Sequence, residues 1–332
     1  MLIPRARLAA LLAAAKKQRV TVIGDAMLDV SLTGDVERVS PEAPVPVVRV
    51  RNRRWALGGA ANVAQNVAAL GASANLVATI GSDESAGLLK ALLKKVGSDA
   101  RGLVAVKRPT TTKTRIVARA QQVVRVDEEV DDDCSAAEIS KLKAAVSRAV
   151  KLSDALILED YNNGVLVAPV IEHALAAARK KGIPIVVDPK YRNFFSYKGA
   201  TIFKPNRREL EAALGAAVDV EHPKTLPALV KKLGVEAILL TLSEKGMALI
   251  EKGAPGKNGV HRIPTTARDV YDVVGAGDTV TAYLAAMLAA GATALEAAVI
   301  ANFAAGVEVG KLGAATVTPA EVLAAYDGWG AR

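Results

Sequence analysis

The sequence has few of the side chains that build disulfides and metal centres. Its 332 residues include one cysteine, Cys134, and three widely spaced histidines. A single cysteine excludes an intramolecular disulfide, and so small a set of ligands argues against a structural zinc site. Cys134 follows three consecutive aspartates, whose charge disfavours a reactive thiolate. We therefore expect no functional role for this cysteine.

Long apolar runs are also missing. The alanine-rich region after Asp278 comes nearest to the length of a membrane-spanning helix, but Gly291 and Glu296 interrupt it. The short apolar run from Leu8 to Ala15 resembles part of a signal peptide. It continues through basic residues directly into a strand, which favours an amphipathic helix instead. We expect no membrane contact and a cytoplasmic location.

Aromatic residues are scarce at 4%, although basic residues outnumber acidic ones by 43 to 34. The basic residues lie in small groups along the chain, with no continuous stripe and no aromatic platform for stacking bases. A small anionic substrate accounts for the net charge of +9. We therefore expect a small-molecule partner and no nucleic acid.

From residue 136 onward, helical and strand-like segments alternate. Polar residues repeatedly follow the strands, for example Glu159-Asp160-Tyr161 and then Asp188-Pro189-Lys190. This pattern is typical of a parallel sheet whose ligand crevice lies at the carboxyl ends of the strands. The sequence has no internal repeat and no low-complexity linker. We predict one α/β domain over residues 1–332.

Two segments interrupt this alternation, residues 33–57 and 109–130. In the first, period-two alternation from Val47 to Trp55 places three arginines on one face: Arg49, Arg51 and Arg53. The second segment has the pattern of a hairpin, which we expect to pair with the strand at 47–55. Together the segments predict a small β-sheet lid. Its exposed edges favour pairing with a second copy, so we expect a homodimer through the lid.

The stretch from Asp272 to Thr279 has the sequence Asp-Val-Val-Gly-Ala-Gly-Asp-Thr. The glycines allow a tight turn, and an apolar helical run begins at Thr279. The N–H groups of residues 275–278 would then point outward at a helix N-terminus and bind a phosphate or an oxyanion. A carboxylate there, Asp278, suits phosphoryl transfer because it can accept the proton of the attacking hydroxyl. The alternative is a glycine-rich turn with Asp278 as an ordinary N-cap.

Candidate sugar-binding residues lie near the N-terminus. Asp25 and Asp29 follow the first strand, and one or both could accept hydrogen bonds from sugar hydroxyls. The alternative is that they cap a loop. Gly58 and Gly59 precede a helix and allow a ligand to approach closely. Asn62, in the first turn of that helix, would face the ligand.

Candidate nucleotide and metal residues lie in the second half. Asn206 and Glu209 are three apart at a helix start, where their oxygens suit Mg²⁺ or form a capping box. Hydroxyls and a glycine follow a later strand, which indicates either a nucleotide pocket or a plain β-turn: Thr241, Ser243 and Gly246. Asn302 lies in an apolar helix and needs a partner, either adenine or a backbone carbonyl.

Taken together, these residues resemble the ribokinase-like (PfkB) carbohydrate kinases. Gly58-Gly59-Ala60-Ala61-Asn62 is similar to the N-terminal di-glycine signature of that family. Asp272 to Asp278 is similar to its C-terminal D-x-x-G-A-G-D signature, which is specific. The resemblance covers essentially the whole chain. It implies a three-layer αβα sandwich with a mostly parallel central sheet and a small β-sheet lid.

The resemblance also implies a role for each candidate. Asp278 would be the catalytic base and Gly275, Ala276 and Gly277 the anion hole. Asn206 and Glu209 would organise Mg²⁺. The ATP pocket would be lined by Asn206, Thr241, Ser243, Gly246 and Asn302. The sugar phosphate would meet Asp29, Gly58, Gly59, Asn62, Arg115, Arg125 and Lys190. A monovalent cation, K⁺, is implied near the loop before Asp272.

Within the family, three segments resemble the D-glycero-β-D-manno-heptose-7-phosphate kinases of lipopolysaccharide-core precursor synthesis. They are residues 38–47, residues 121–127 and the stretch Val187-Asp188-Pro189-Lys190. These kinases commonly carry lysine where this chain has Asn163. In many bacteria they are fused to a nucleotidyltransferase, whose H-x-G-H motif does not occur in this sequence. The alternatives are a kinase for another sugar or sugar phosphate, or a catalytically silent sugar-phosphate sensor.

Overall fold

The computed structural model describes residues 3–119, 121–220, 226–251 and 259–330. The helices in these ranges are α1 (Arg5–Ala15), α2 (Ala60–Ala69), α3 (Glu84–Lys95), α4 (Ala136–Lys151), α5 (Ala168–Lys181), α6 (Arg207–Leu214), α7 (Leu226–Leu233), α8 (Ala276–Ala289), α9 (Ala294–Glu308) and α10 (Pro319–Gly330). The strands are β1 (Arg19–Gly24), β2 (Ala26–Val39), β3 (Pro46–Gly59), β4 (Ser73–Ile80), β5 (Asp99–Ala105), β6 (Thr112–Ala118), β7 (Gln121–Glu128), β8 (Ala155–Glu159), β9 (Ile185–Asp188), β10 (Ile202–Phe203), β11 (Ala237–Thr241), β12 (Met247–Glu251) and β13 (Val260–Ile263).

A nine-stranded sheet has the order β13-β12-β11-β10-β9-β8-β1-β4-β5. Every neighbouring pair from β5 to β11 is parallel, and β12 and β13 add antiparallel pairs at one edge. The chain begins near the middle, moves outward to β5, and then returns to β8 on the other side of β1. Because ligands of open α/β sheets bind where the strand order reverses, this topology directs attention to the carboxyl ends of β1 and β8.

The residues of β8 explain why helices cover both faces of this sheet. All five are buried, and the first four, Ala155 to Leu158, are apolar. Successive side chains point to opposite faces: Ile157 joins one core, whereas Leu156 and Leu158 join the other. The first core includes residues of α1, α2, α3, α8, α9 and α10, and the second includes residues of α4, α5, α6 and α7. Burying each such aliphatic side chain stabilises the fold by about 1.5–3 kcal/mol. The predicted three-layer sandwich is confirmed.

A separate four-stranded sheet, the lid sheet, has the order β3-β2-β6-β7. Its strand β2 pairs antiparallel with β3 and parallel with β6, so it lies between the strand at 47–55 and the hairpin. The expectation that the hairpin pairs with the strand at 47–55 was therefore wrong. The sequence conceals β2 because Asp29, Gly34 and Asp35 are residue types depleted in strands. Residue 120, within the predicted segment 109–130, lies outside the described residues.

The predicted three-arginine face is also wrong. The register of β2 with β3 shifts after Thr33, and Arg51 falls between two paired residues of β3. Such a bulge reverses the side-chain alternation beyond it. Arg53 is opposite Leu32 and Arg49 is opposite Asp35, so these two arginines lie on opposite faces of the lid sheet.

The described ranges bear on the membrane-spanning helices and on the cysteine that the sequence analysis considered. No helix within them is both long and apolar enough to cross a membrane. Cys134 is a buried free thiol, and burial raises its pKa to about 11. The thiol therefore stays protonated at neutral pH, chiefly because it is desolvated and to a smaller extent because of nearby carboxylates.

Candidate active site

A cavity of about 280 Å³ lies at the carboxyl ends of β8, β9, β10 and β11. Residues that follow these strands line it together with the start of α8: Glu159, Asp160, Tyr161, Asp188, Lys190, Lys204, Asn206, Glu209, Thr241, Gly275, Gly277 and Asp278. Parallel strands bring these distant sequence positions to one edge. The crevice that the alternating pattern predicted is present.

The helix α8 begins at Ala276, three residues before the predicted start. Gly275 is its N-cap, with φ of 96°, a conformation that glycine adopts without strain. Asp278 lies within the first turn, so the alternative of an ordinary N-cap is wrong. The N–H groups of a first helical turn have no partner inside the helix and attract anions. The carboxylate of Asp278 lies beside them.

Asp278 is almost completely buried, with 6% of its surface exposed. Its Oδ2 accepts a 2.6 Å hydrogen bond from Nδ2 of Asn62, and its Oδ1 accepts a 3.2 Å bond from the hydroxyl of Tyr161. Burial raises the pKa of Asp278 to about 7, and the charge of Asp188 adds to the rise. The bond from Asn62, the ammonium of Lys204 and the bond from Tyr161 act against it. A carboxyl with a pKa near neutrality suits a general base.

The loop before α8 is held by Asp272. Its Oδ1 accepts a 3.0 Å bond from the N–H of Val274, and its Oδ2 accepts a 3.1 Å bond from the N–H of Gly313. A Cβ atom at Gly275 would lie 3.1 Å from Cβ of Ala314 and 3.2 Å from Nδ2 of Asn62. The glycine thus permits close packing of this loop against two neighbouring segments.

The two glycines before α2 are required by close contacts. A Cβ atom at Gly58 would lie 2.5 Å from Oδ2 of Asp29, and one at Gly59 would lie 2.4 Å from the carbonyl oxygen of Asp25. They also bring Asn62, in the first turn of α2, next to Asp278. The glycines thus permit close packing of this segment against Asp25 and Asp29.

The side chain of Asp25 organises a loop. It accepts hydrogen bonds from the backbone N–H groups of Tyr161, Asn163 and Val165, at 2.8, 3.1 and 3.2 Å. Burial raises its pKa to about 6 although these bonds act in the opposite direction. Both of its oxygens are used, which favours the loop-capping alternative. Asn163, where related kinases carry lysine, donates a 2.9 Å bond to Glu129 of the lid region.

The predicted metal residues Asn206 and Glu209 form a reciprocal capping box at the start of α6. Oε1 of Glu209 is also 2.5 Å from Nζ of Lys190. Both residues line the cavity, and their side-chain oxygens already take part in the capping box and the contact with Lys190, so only a contact through water would link them to Mg²⁺. No group of three or more histidine, cysteine, aspartate or glutamate side chains in the described part of the chain could hold a metal alone.

A second pocket, of about 430 Å³, lies next to the cavity, and Thr241 and Gly277 line both. It contains the remaining predicted nucleotide residues: Ser243, Gly246 and Asn302. Nδ2 of Asn302 donates a 2.8 Å bond to the carbonyl oxygen of Pro264, which is the backbone alternative that the sequence left open. The lining of this pocket includes residues of α8 and α9 and is mostly apolar.

Three lid arginines lie in one cross-strand row. Arg54 of β3 is opposite Ser31 of β2, Ser31 is opposite Arg115 of β6, and Arg115 is opposite Arg125 of β7. Directly opposite residues share a face, so all three guanidinium groups project from the same side of the lid sheet as Asp29. Arg115 binds Asp29 at 2.5 Å, which ties this row to a predicted sugar residue.

The whole arrangement matches a known family. The model of the pfkB family carbohydrate kinases matches residues 17–321. The chain belongs to the pfkB family of carbohydrate kinases. It is therefore a phosphotransferase that acts on a sugar hydroxyl.

Relatives of this pfkB kinase include bifunctional proteins. It is 44% identical over 309 residues to "Bifunctional protein HldE" of Citrifermentans bemidjiense, covering 92% of this chain and 63% of the relative. It is 47% identical over 313 residues to the HldE protein of Azorhizobium caulinodans, covering 93% and 64%. The chain thus spans less than two thirds of the length of these relatives.

Solved structures support the fold of this pfkB kinase. Ribokinase of Arabidopsis thaliana in complex with ribose and ATP has a TM-score of 0.72 at 22% identity, over 93% of this chain and 98% of that one. Phosphofructokinase-2 of Escherichia coli in complex with potassium has a TM-score of 0.77 at 18% identity, over 95% and 100%. At these identities the similarity establishes the ribokinase-like fold.

The sequence analysis assigned no site role to five residues that line the cavity of the pfkB kinase: Glu159, Asp160, Tyr161, Asp188 and Lys204. Tyr161 donates to Asp278, Lys204 is a buried lysine 2.7 Å from Asp188, and Glu159 is fully buried. Each was visible only as a polar residue next to a strand end. Lys204 precedes the Pro205-Asn206 pair, and a lysine directly after an apolar strand was the one available signal.

Proposed function

We propose that this kinase transfers the γ-phosphoryl group of ATP to the anomeric O1 of D-glycero-β-D-manno-heptose 7-phosphate, giving the 1,7-bisphosphate. This product is a precursor for ADP-heptose and the lipopolysaccharide core. The main support for phosphoryl transfer is the buried carboxylate of Asp278, with a pKa of about 7, in the first turn of α8. The heptose assignment rests on the three sequence segments that resemble heptose-7-phosphate kinases.

In this proposal Asp278 accepts the proton of the attacking hydroxyl while Asn62 and Tyr161 orient its carboxylate. The N–H groups at the start of α8 hold the phosphoryl group as its bond to ADP breaks and its bond to the sugar oxygen forms. Mg²⁺, when bound near Asn206 and Glu209, would neutralise charge on the nucleotide phosphates. These residues work by position and charge, which is how most phosphoryl transfer is catalysed.

The row of lid arginines supports an acceptor that carries its own phosphate. Arg115 and Arg125 are the predicted members, and Arg54 extends the row across β3. Guanidinium groups bind phosphate through paired N–H groups. Lys190 forms an ion pair with Glu209, and its Nζ lies 5.6 Å from the ring centre of Tyr161. It would therefore serve the nucleotide side as well as the sugar side.

We also propose that the segments 33–57 and 109–130 close as a lid and pair with a second copy of the chain. The support is the face of the lid sheet opposite the arginine row. It carries exposed apolar side chains in neighbouring rows: Trp55, Val124 and Val126, with 38%, 46% and 46% of their surfaces exposed. Such a face is usually covered by another molecule. A monovalent cation such as K⁺ near the loop before Asp272 completes the proposal.

The test is ADP release with a panel of free and phosphorylated sugars, with Mg²⁺ and with K⁺ or a bulky organic cation. We expect the heptose 7-phosphate to give the highest kcat/KM. Faster turnover of another acceptor, for example fructose 6-phosphate, would contradict the heptose assignment and leave the kinase chemistry intact. Binding of a sugar phosphate without ADP release from any acceptor would contradict catalysis and indicate a sensor.

A further inference from the structure

Lys204 is the least exposed lysine at the carboxyl edge of the large sheet. It follows β10, has 3% of its surface exposed, and places its Nζ 2.7 Å from Oδ2 of Asp188 at the end of β9. Burying an ammonium group is costly unless a carboxylate compensates it. The carboxylate of Asp188 provides this compensation for Lys204.

The ammonium group lies beside the start of α8. A Cβ atom built on Gly277 would be 3.7 Å from Nζ of Lys204 and 4.0 Å from Oδ2 of Asp188. Lys204, Gly277 and Asp278 line the same 280 Å³ cavity. A phosphoryl group held by the first turn of this helix would therefore lie within reach of the ammonium.

A second carboxyl group, that of Glu159, lines the same cavity as Lys204. Glu159 is fully buried and neither of its carboxyl oxygens has a hydrogen-bond partner within the described ranges. Burial, followed by the charges of Asp188 and Asp278, raises the pKa of Glu159 well above its usual range. Asp188 is the carboxylate that contacts the ammonium of Lys204 directly, at 2.7 Å.

We propose that Lys204 is a further catalytic residue of the kinase reaction and that Asp188 is its positioning residue. Nζ of Lys204 donates hydrogen bonds to oxygens of the phosphoryl group while the sugar oxygen bonds to phosphorus and the bond to the leaving ADP breaks. The hydroxyl proton goes to Asp278, and Lys204 keeps its own protons throughout. This inference rests on the proposed phosphoryl transfer, but it does not depend on which sugar is the acceptor.

The competing explanation is that Lys204 only neutralises Asp188. A double-mutant cycle separates the two, measured with the acceptor that the wild-type enzyme uses best. Lys204→Met should lower kcat about a hundredfold, since one donor to a developing oxyanion contributes about that much. In the Asp188→Asn background, Lys204→Met should still lower kcat at least about tenfold. If it changes nothing in that background, the ammonium has no role beyond neutralising Asp188 and the proposal is overturned.

A second measurement does not depend on turnover. Affinity for ADP with aluminium fluoride, a mimic of the phosphoryl group in transit, should fall at least about tenfold in Lys204→Met, while affinity for ADP alone changes less than about threefold. Equal losses for both ligands would overturn the proposal. Lys204→Arg should recover part of kcat because it restores the charge.

The matched control is Lys181→Met. Lys181 is also a lysine held by protein oxygens, the carbonyls of residues 150, 151 and 153, but it lies at the amino end of β9. The kcat of the Lys181→Met enzyme should stay within about twofold of the wild-type value. Thermal unfolding of every variant identifies losses that arise from misfolding. Absence of wild-type turnover with every sugar would refute the proposed function, whereas a normal wild type with a fully active Lys204→Met refutes only this inference.

Discussion

Nδ2 of Asn62 donates a 2.6 Å hydrogen bond to Oδ2 of Asp278, although 216 residues separate them. The bond connects the helix that follows Gly58 and Gly59 with the helix that follows the loop from Asp272 to Gly275. It joins the two signature motifs into one site. It also fixes the orientation of the carboxylate, because the second oxygen is then directed to the hydroxyl of Tyr161.

Replacing this carboxylate should stop catalysis without preventing binding. We expect Asp278→Asn to lower kcat at least about a thousandfold, because the amide cannot accept the hydroxyl proton. The amide oxygen can still accept the bond from Asn62. Affinity for ATP, measured by calorimetry, should change less than about threefold. The control is Asp154→Asn, which alters a carboxylate at the amino end of the sheet that accepts from the N–H of Arg19. An active Asp278→Asn enzyme would remove Asp278 from its role.

The raised pKa of Asp278 predicts opposite effects of pH on activity and on stability. The base must be ionised, so kcat should rise with pH and level off above about 7. The folded protein binds this proton more tightly than the unfolded chain, so the resulting stabilisation is complete below about pH 4 and is lost as pH rises through about 7. Asp25, with a pKa of about 6, acts in the same direction.

Asp278→Asn removes the ionisable group, and with it the loss of folding stability that accompanies ionisation of Asp278. At pH 8 the variant should therefore be more stable than the wild type. The difference is at most about 4 kcal/mol, since each pKa unit corresponds to about 1.4 kcal/mol. Chemical denaturation at pH 5 and pH 8 measures it. A difference that does not grow between these two pH values contradicts the assignment of this pKa.

Tyr161→Phe should move the acid limb of the pH profile. The tyrosine hydroxyl donates to Asp278 and lowers its pKa. Without this bond the pKa of Asp278 should rise by about half a unit to one unit, which corresponds to a hydrogen bond of about 1 kcal/mol. We expect a large loss of kcat at pH 6 and a small one at pH 9. A uniform loss across the pH range would show that the hydroxyl acts in some other way.

Gly277→Ala tests the anion hole with little effect on the backbone. Gly277 lies in the first turn of α8, and an added methyl group would make ordinary contacts, 3.7 Å from Lys204 and 4.0 Å from Asp188. The variant should fold with unchanged or slightly higher stability, since replacing glycine by alanine stabilises a helix by up to about 1 kcal/mol. It should lose at least about a hundredfold in kcat/KM because the methyl group occupies the space of the phosphate.

The matched control is Gly87→Ala in α3. A Cβ atom there would meet nothing within 4 Å, so the same gain in helix propensity should come without any loss of activity. Thermal unfolding and ADP release are measured for both variants. Full activity of Gly277→Ala would show that the phosphoryl group lies elsewhere.

Val126→Glu should separate a dimer that forms through the lid sheet. The charge would be placed on the exposed apolar face that also carries Trp55 and Val124. Sedimentation velocity should show a dimer for the wild type and a monomer for the variant at micromolar concentration. Leu152→Glu, which changes another exposed apolar residue at the far end of α4, should leave the dimer intact. A monomeric wild type contradicts the proposed assembly.

Local sequence patterns predicted much of the fold and of the site. Buried parallel strands have apolar sequences such as that of β8, and polar residues follow them because the strands end at the ligand edge. The stretch from Asp272 to Asp278 predicted the turn before α8, where Gly275 has a φ of 96° that glycine adopts readily. The start of α8 was placed three residues late because Ala276 and Gly277 are part of both the turn and the helix.

Other features were not visible in the pattern. The strand β2 carries residues that disfavour strands, and it is stabilised by two neighbours, β3 and β6, that the chain brings from elsewhere. The bulge after Thr33 places Arg49 and Arg53 on opposite faces of the lid sheet, whereas simple alternation predicts the same face. The sequence left two interpretations of Asp25 open, binding of a sugar or capping of a loop, and the three N–H partners of its carboxylate favour the loop.

The sequence by itself determined the kind of chemistry: a glycine turn with a carboxylate at a helix N-terminus, a parallel sheet that presents it, and basic residues for an anionic substrate. The tertiary structure alone decided which groups tune that carboxylate. Asn62, Tyr161, Lys204 and Asp188 come from four different segments and meet Asp278 only because strand order and register bring those segments to one edge. The pKa of Asp278 is set by burial and by neighbouring charges. Both arise only when these segments come together in the folded protein.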